Sequence, residues 1–197
     1  MDATPSTRAS LLVRLRNPQD ERAWTEFTAI YSPLVYRLAR RKGLQDADAA
    51  DLVQEVLRAV ASAIDRFDPD PTRGPFRNWL FRIAQNMVIN FLASQHRHPR
   101  GIGGDFVTLL ERQTVPSQED SALFELEFRR QLFRWASEQI RDEFQATTWS
   151  AFWKTWVEGK KSKDVATELR MSLGAIYMAR SRVVARLREV IAGVEEG

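Results

Sequence analysis

Cysteine is absent from the 197 residues, which removes disulfides, thiolate metal sites and thiol nucleophiles from consideration. Histidine occurs only twice, as His96 and His98. An H-x-H pair flanked by Arg97 and Arg100 reads as the end of a basic stretch rather than as a metal site. No Gly-rich phosphate loop and no histidine pair at i, i+4 is present, so an enzyme has little support and no cofactor is expected. No apolar run approaches the ~18 residues of a membrane span, and the polar Met1–Ser10 is no signal peptide. A soluble, cytoplasmic protein without membrane insertion is the expectation. No segment alternates apolar and polar side chains long enough to build a sheet, so the fold is expected to be all-α.

Acidic residues are also missing from one long window. Between Pro71 and Gly104 there is no Asp or Glu, while Arg73, Arg77, Arg82, Arg97 and Arg100 supply positive charge. The flanks have the opposite sign: Gly43–Asp70 and Asp105–Glu127 are both acidic. Net charge is only +3, so the segregation says more than the total: separate faces, or separate partners. Inside the window, Phe76, Leu80, Ile83, Met87 and Phe91 recur at helical spacing, the stripe of a half-buried helix. Asn78, Arg82, Asn86 and Asn90 form a second stripe, with Trp79 beside it. A helix face of cations, amides and a Trp, free of acids, suits a phosphate backbone and unstacked bases better than bulk solvent.

With 44% hydrophobic residues the chain can fill packed cores, and the patterning predicts two helical bodies. In the first, a short helix begins at Leu11 and a second runs from about Glu21 to Lys42, with a kink or break near Pro33 and a stop at Gly43. A third covers about Asp46–Phe67, its core stripe being Val53, Val56, Leu57, Val60, Ile64 and Phe67. The Pro- and Gly-rich Asp68–Pro75 is a loop. Residues 98–120 read as a flexible linker. Beyond it, Ser121–Arg141 is expected to be helical with Leu123, Leu126, Leu132, Phe133, Ala136 and Ile140 inward. The aromatic row Phe144, Trp149, Phe152, Trp153, Trp156 is assigned to core. A short helix capped by Ser162 and a longer one capped by Ser172, with Ile176, Val183, Leu187 and Ile191 inward, close the chain. The only charges from Ser172 to Arg188 are four arginines (Arg180, Arg182, Arg186 and Arg188), so the pair reads as a helix-turn-helix.

Three motifs in order, D-L-V-Q-E-V at 51–56, F-R-x-W-L-x-x-I-A-x-N at 76–86, and G-x-x-S-x-x-V-A…S-x-G-x-I from Gly159 to Ile176 followed by S-R-V…R-L-R-E, carry a resemblance. The chain resembles the extracytoplasmic-function (ECF) sigma factors of bacterial RNA polymerase, in the sigma-70 family. The variants F-D-P-x-P-x-R-G-x-F-R and A-I-Y-M-A-R-S-R-V look like a planctomycete-type subgroup.

The resemblance implies a sigma region 2 over residues 11–97 and a region 4 over 121–193. Asp51, Gln54 and Glu55 would dock on the clamp of core polymerase. Phe67, Arg73, Arg77, Trp79, Arg82, Asn86, Asn90 and Arg97 would bind −10 DNA, with Trp79 as the melting wedge and Phe67, the following loop and Asn86 around a flipped base. Tyr177, Met178, Ser181 and Arg182 would read the −35 element, where relatives carry more charge. Promoter DNA and core polymerase are the implied partners, with an anti-sigma factor or other regulator as a further one. A stand-alone helix-turn-helix regulator is the alternative, but it would have no use for the 51–56 motif or the aromatic helix.

Overall fold

A computed structural model describes residues 11–67, 76–95 and 117–195, and every described regular element is helical. The chain divides into two compact units, one ending at Gln131 and one covering Leu132–Glu195.

The first unit contains α1 (Leu11–Leu15), α2 (Glu21–Arg41), α3 (Asp46–Ala63) with a 3₁₀ turn at Ile64–Arg66, and α4 (Phe76–Gln95). The first part of α5 (Gln118–Ile140), as far as Gln131, belongs to it as well. Asp20 caps α2 by accepting from Ala23 N–H at 2.9 Å, and Arg14 of α1 grips both Asp20 oxygens at 3.0 Å and Glu26 at 2.9 Å. The Arg14 guanidinium, aided by the Ala23 N–H, holds the Asp20 carboxyl below the usual carboxylate range. The helix ends as its sequence predicts. Gly43 takes φ +98°, and the Leu44 N–H reaches back to Ala39 O at 3.2 Å.

A kink or a break was expected near Pro33; the helix is not broken there, and α2 runs on through it. Proline has no N–H to give to the carbonyl four residues earlier, that of Ala29. Gln131 Nε2 supplies the missing donor at 3.2 Å. Phe27, Ile30 and Leu34 of α2, Val56 and Val60 of α3 and Leu80 of α4 form the buried centre with Leu15 of α1. Each is worth roughly 1.5–3 kcal/mol relative to exposure.

The second unit holds residues 132–140 of α5, a 3₁₀ turn at Arg141–Glu143, α6 (Ala146–Phe152), α7 (Ser162–Leu169) and α8 (Leu173–Glu195). α6 runs directly into a π turn, Trp153–Val157, which ends at Gly159 with φ +67°. Ala151, Val165, Ala166, Ile176 and Ala179 are its packed centre with Leu169 and Met171 against it, and Phe152, Ile140, Val183 and Leu187 are buried in the same unit. α7 and α8 meet at Arg170, which adopts the left-handed conformation (φ 52°) while Met171 N–H bonds Ala166 O at 2.9 Å. Ser172 Oγ accepts from Ala175 N–H at 3.1 Å, the expected cap on α8.

Several expectations need correction. Lys161, not Ser162, is the residue before α7, and no side chain caps that helix. The inward stripe of α5 is Phe124, Phe128, Leu132, Trp135, Ala136 and Ile140; Leu126 is exposed, and Leu123 and Phe133 are half-buried. Of the aromatic row only Phe152 is fully buried; Trp149 and Trp153 are half-buried against each other and Trp156 is exposed. Ile191 is half-buried, with Val194 the buried residue near that end. The second body was expected from residue 121. The second compact unit starts at Leu132, and residues 118–131 pack with the first.

Candidate nucleic-acid interface

On α3, Asp51, Gln54, Glu55 and Arg58 follow at i, i+3, i+4 and i+7 and so share one stripe. Asp51 and Gln54 are exposed, Glu55 is half-buried, and the buried side consists of Leu52, Val56, Ala59 and Val60. The Glu55 carboxylate is already occupied by Arg58. The three expected docking residues are thus brought together on an acidic, amide-bearing surface.

Phe67 ends the 3₁₀ turn and is half-buried, its carbonyl held by Arg16 at 2.8 Å. Its ring meets Trp79 at 5.1 Å and stands edge-on to Phe76 at 5.2 Å. Trp79 in turn lies 5.2 Å from Phe76, and Phe76 touches Phe27 and Tyr31 of α2. The two aromatic residues singled out for base capture are therefore neighbours, anchored through Phe76 in the core. Arg82 is exposed one turn further along, and Asn90 is half-buried. Arg73, Arg97, the 68–75 loop and both histidines lie outside the described residues.

Two placements differ from expectation. Asn86 is only 7% exposed, as is its neighbour Gln85, because α4 is buried on most of its circumference between Leu80 and Val88. An amphipathic stripe implies one buried face; this helix packs against α2, α3 and α5, so its amide stripe is partly interior. Arg77 is the sharper correction. Two residues before Trp79, it projects about 200° away around the helix at roughly 100° per residue. There it donates to Glu125 of α5 at 2.5 Å and lies 5.4 Å above the Phe128 ring. Arg77 does not stand with Trp79 and Arg82.

On α8, Tyr177, Met178, Ser181 and Arg182 form one exposed cluster, Tyr177 and Met178 being more than half exposed. Leu173, one turn before Tyr177 and 38% exposed, extends it; its i−4 spacing was the available signal. The four arginines of this helix divide by role. Arg186 is gripped by Glu143 at 2.6 and 2.8 Å and by Glu189 at 3.0 Å, which raises its pKa, so it fastens α8 to the 3₁₀ turn after α5. Arg180 lies 5.1 Å over the exposed Trp156 ring. Arg182 and Arg188 stay exposed, without an ion pair among the described residues.

Residues 28–98 match the family model described as sigma-70 region 2. The RNA polymerase sigma factor CnrH of Cupriavidus metallidurans is 39% identical over 69 residues, 35% of each chain. The ECF RNA polymerase sigma factor SigE of Mycolicibacterium smegmatis is 26% identical across 86% of this chain and 62% of its own. The ECF RNA polymerase sigma-E factor of Escherichia coli is 27% identical across 92% of this chain and 91% of its own. Residues 28–98 thus match a sigma-70 region 2, and the chain as a whole is similar to ECF sigma factors. Its alignments span about a third of the first of these relatives and under two thirds of the second.

The family model ends at residue 98, and within it region 2 comprises α2 from Thr28, α3 and α4. Residues 118–131 lie beyond the matched segment, yet they pack on it. The sequence does carry a signal for this, since Phe124 and Phe128 are one turn apart in an acidic stretch next to a basic one.

Proposed function

We propose that the protein is a sigma factor that brings core RNA polymerase to specific promoters and opens the −10 element. One observation carries the reading: within the matched region 2, a half-buried Trp79 leans on Phe67 at 5.1 Å, with Arg82 exposed on the next turn. Separating a base from its stack costs a few kcal/mol, and an aromatic platform returns about 1–3 kcal/mol per base. A pre-assembled pair beside a cation offsets that cost at the moment of melting. Arg82 and Asn90 then hold the opened strand, and Asn86 lines the inner wall of the base pocket.

The stripe Asp51, Gln54 and Glu55 is the surface offered to the polymerase clamp. Tyr177, Met178, Ser181 and Arg182 read the −35 element from the major groove, with Met178 presenting an apolar tip suited to a thymine methyl. Regions 2 and 4 are taken as residues 11–97 and 121–193, joined by 98–120, with residues 118–131 packing on region 2. The motifs at 67–77 and 175–183 support the planctomycete-type subgroup. The work is binding and DNA opening in the cytoplasm, with no chemistry of its own. An anti-sigma factor or other regulator is a further partner. Among the described residues no helix is long and apolar enough to cross a membrane.

Run-off transcription with core polymerase across the promoter of the protein's own operon tests this. A specific transcript that depends on the protein is expected, together with its loss and loss of core co-purification in Gln54→Lys/Glu55→Lys. Core binding unchanged by that double substitution would remove the polymerase-docking claim.

A further inference from the structure

We propose that the face built by Tyr31 and Arg37 of α2 and Lys42 just after it, with Arg77 and Phe81 of α4, is a docking groove for an acidic amphipathic helix. In this chain residues 118–131 fill it, and a partner protein presenting the pattern D-x₃-F-E-x-E-F occupies it by displacing them. The pattern is that of Asp120–Phe128.

The recognition is chemically explicit. Asp120 accepts from Lys42 at 2.9 and 3.1 Å, and Glu127 meets Arg37 at 3.2 Å. Glu125 takes Arg77 at 2.5 Å. Phe124 stacks on Phe81 with ring centroids 4.5 Å apart, and Phe128 stacks on Tyr31 at 5.7 Å under the Arg77 guanidinium. Acid meets base and ring meets ring along the whole contact. This also gives partners to Arg37, Lys42 and Arg77, the last of which projects away from Trp79 on α4.

The resident segment is held in a way that permits exchange. Its ion pairs are partly solvated, a class worth about 0–1 kcal/mol each. Only Phe124 and Phe128 are buried from it before Leu132, and Leu126 faces solvent. It also leaves unfilled a space of about 110 Å³ against α2, bounded by Leu34, Leu38, Arg41, Leu123 and Phe124. A longer apolar side chain than Leu123 would occupy that space. Against a tethered competitor at an effective concentration on the order of millimolar, a partner helix needs this better fit to win. Because the groove lies across α4 from Trp79, the inference does not rest on the −10 reading.

The test uses the full chain and a fluorescent synthetic peptide of residues 117–131. Two variants weaken the resident segment, Phe124→Ser/Glu125→Lys and the surface pair Asp120→Lys/Glu127→Lys. Each is expected to bind the peptide at least tenfold more tightly than the unsubstituted chain. Added salt should weaken that binding, and a peptide carrying Glu125→Lys/Glu127→Lys should not bind. If Phe124→Ser/Glu125→Lys loses helicity, the surface pair decides. Peptide binding no tighter than to the unsubstituted chain, with helicity retained, overturns the proposal. So does displacement of the peptide by a single-stranded oligonucleotide, which would make the groove a nucleic-acid surface.

Discussion

Gln131 Nε2 donates to the Ala29 carbonyl at 3.2 Å, the acceptor that Pro33 leaves without its helical partner. The Gln131 side-chain oxygen meanwhile accepts from Arg37 at 3.3 Å. A proline that would otherwise weaken α2 thus becomes a point of attachment for α5. Gln131→Ala is expected to destabilise the first unit by about 0.5–1 kcal/mol, the low end for a lost hydrogen bond because water can reach the exposed site. In a Pro33→Ala background the backbone N–H is restored, so the same substitution should cost less. A urea-denaturation double-mutant cycle measures the coupling, and additive effects would show that the Gln131 bond does not answer to Pro33.

Arg77 and Arg82 differ in their surroundings although both lie in the acid-free window: Arg77 is paired with Glu125, and Arg82 is exposed. Arg82→Ala is expected to weaken binding of single-stranded −10 DNA and to lower the salt slope by about 0.7, one phosphate contact on a single strand. Arg77→Ala should leave both unchanged, and instead speed amide hydrogen exchange in residues 118–131. Fluorescence anisotropy at two salt concentrations, paired with exchange mass spectrometry, tells these apart. An equal loss of DNA affinity in both variants would return Arg77 to the interface.

How much was legible follows from how each helix is packed. α8 has one buried and one open side, so spacing located Ile176, Val183 and Leu187 inside, while the resemblance rather than spacing singled out Tyr177, Met178, Ser181 and Arg182, which lie exposed. α4 gave up Phe76, Leu80, Ile83 and Met87 by the same rule. Its burial of Phe81, Gln85, Asn86 and Val88 was hidden, because a period-3.6 pattern describes a helix with a single buried face. On α5 Leu132, Ala136 and Ile140 were read correctly, but Leu123 and Leu126 were favoured over Phe124 and Phe128 in the first half of the stripe. The charges misled in a related way. Lack of acids within a window marks Arg77 as unpaired only for near neighbours in sequence, and its partner Glu125 lies 48 residues away. The left-handed Arg170 could not be read either, since that conformation ordinarily selects glycine or asparagine.

Acid should loosen the α5 attachment. The Asp120 carboxyl is held below its ordinary value of 3.8, chiefly by the hydrogen bond from Lys42 and further by Ser117. A depressed carboxylate contributes stability that is complete above the unfolded value and is lost as pH falls through the folded one. Protection of residues 118–131 should therefore be level above about pH 5 and decline below about pH 4. Asp120→Asn should lower protection at neutral pH and flatten that decline. Amide exchange followed by NMR across this range provides the measurement, and an unaltered acid limb in Asp120→Asn would assign the pH effect to other carboxylates.

The arginines of α8 make the sharpest test of promoter reading. Arg186 is committed to Glu143 and Glu189, so Arg186→Ala is expected to lower the stability of the second unit and to leave −35 preference intact. Arg182 is exposed on the same face as Tyr177, Met178 and Ser181, with no ion pair among the described residues. A bidentate base contact from it would discriminate by about 1–3 kcal/mol at one base pair, whereas a phosphate contact would weaken all sequences alike and add about 0.9 to the salt slope on duplex DNA. Arg182→Ala and Tyr177→Ala are each expected to change which single-base −35 variants are preferred; Arg188→Ala, further along the helix, is not. Competition titrations of the full chain against a panel of such variants at two salt concentrations separate the cases. A uniform loss with Arg182→Ala, accompanied only by a flatter salt dependence, would place Arg182 on the phosphates and leave base reading to Tyr177 and Met178.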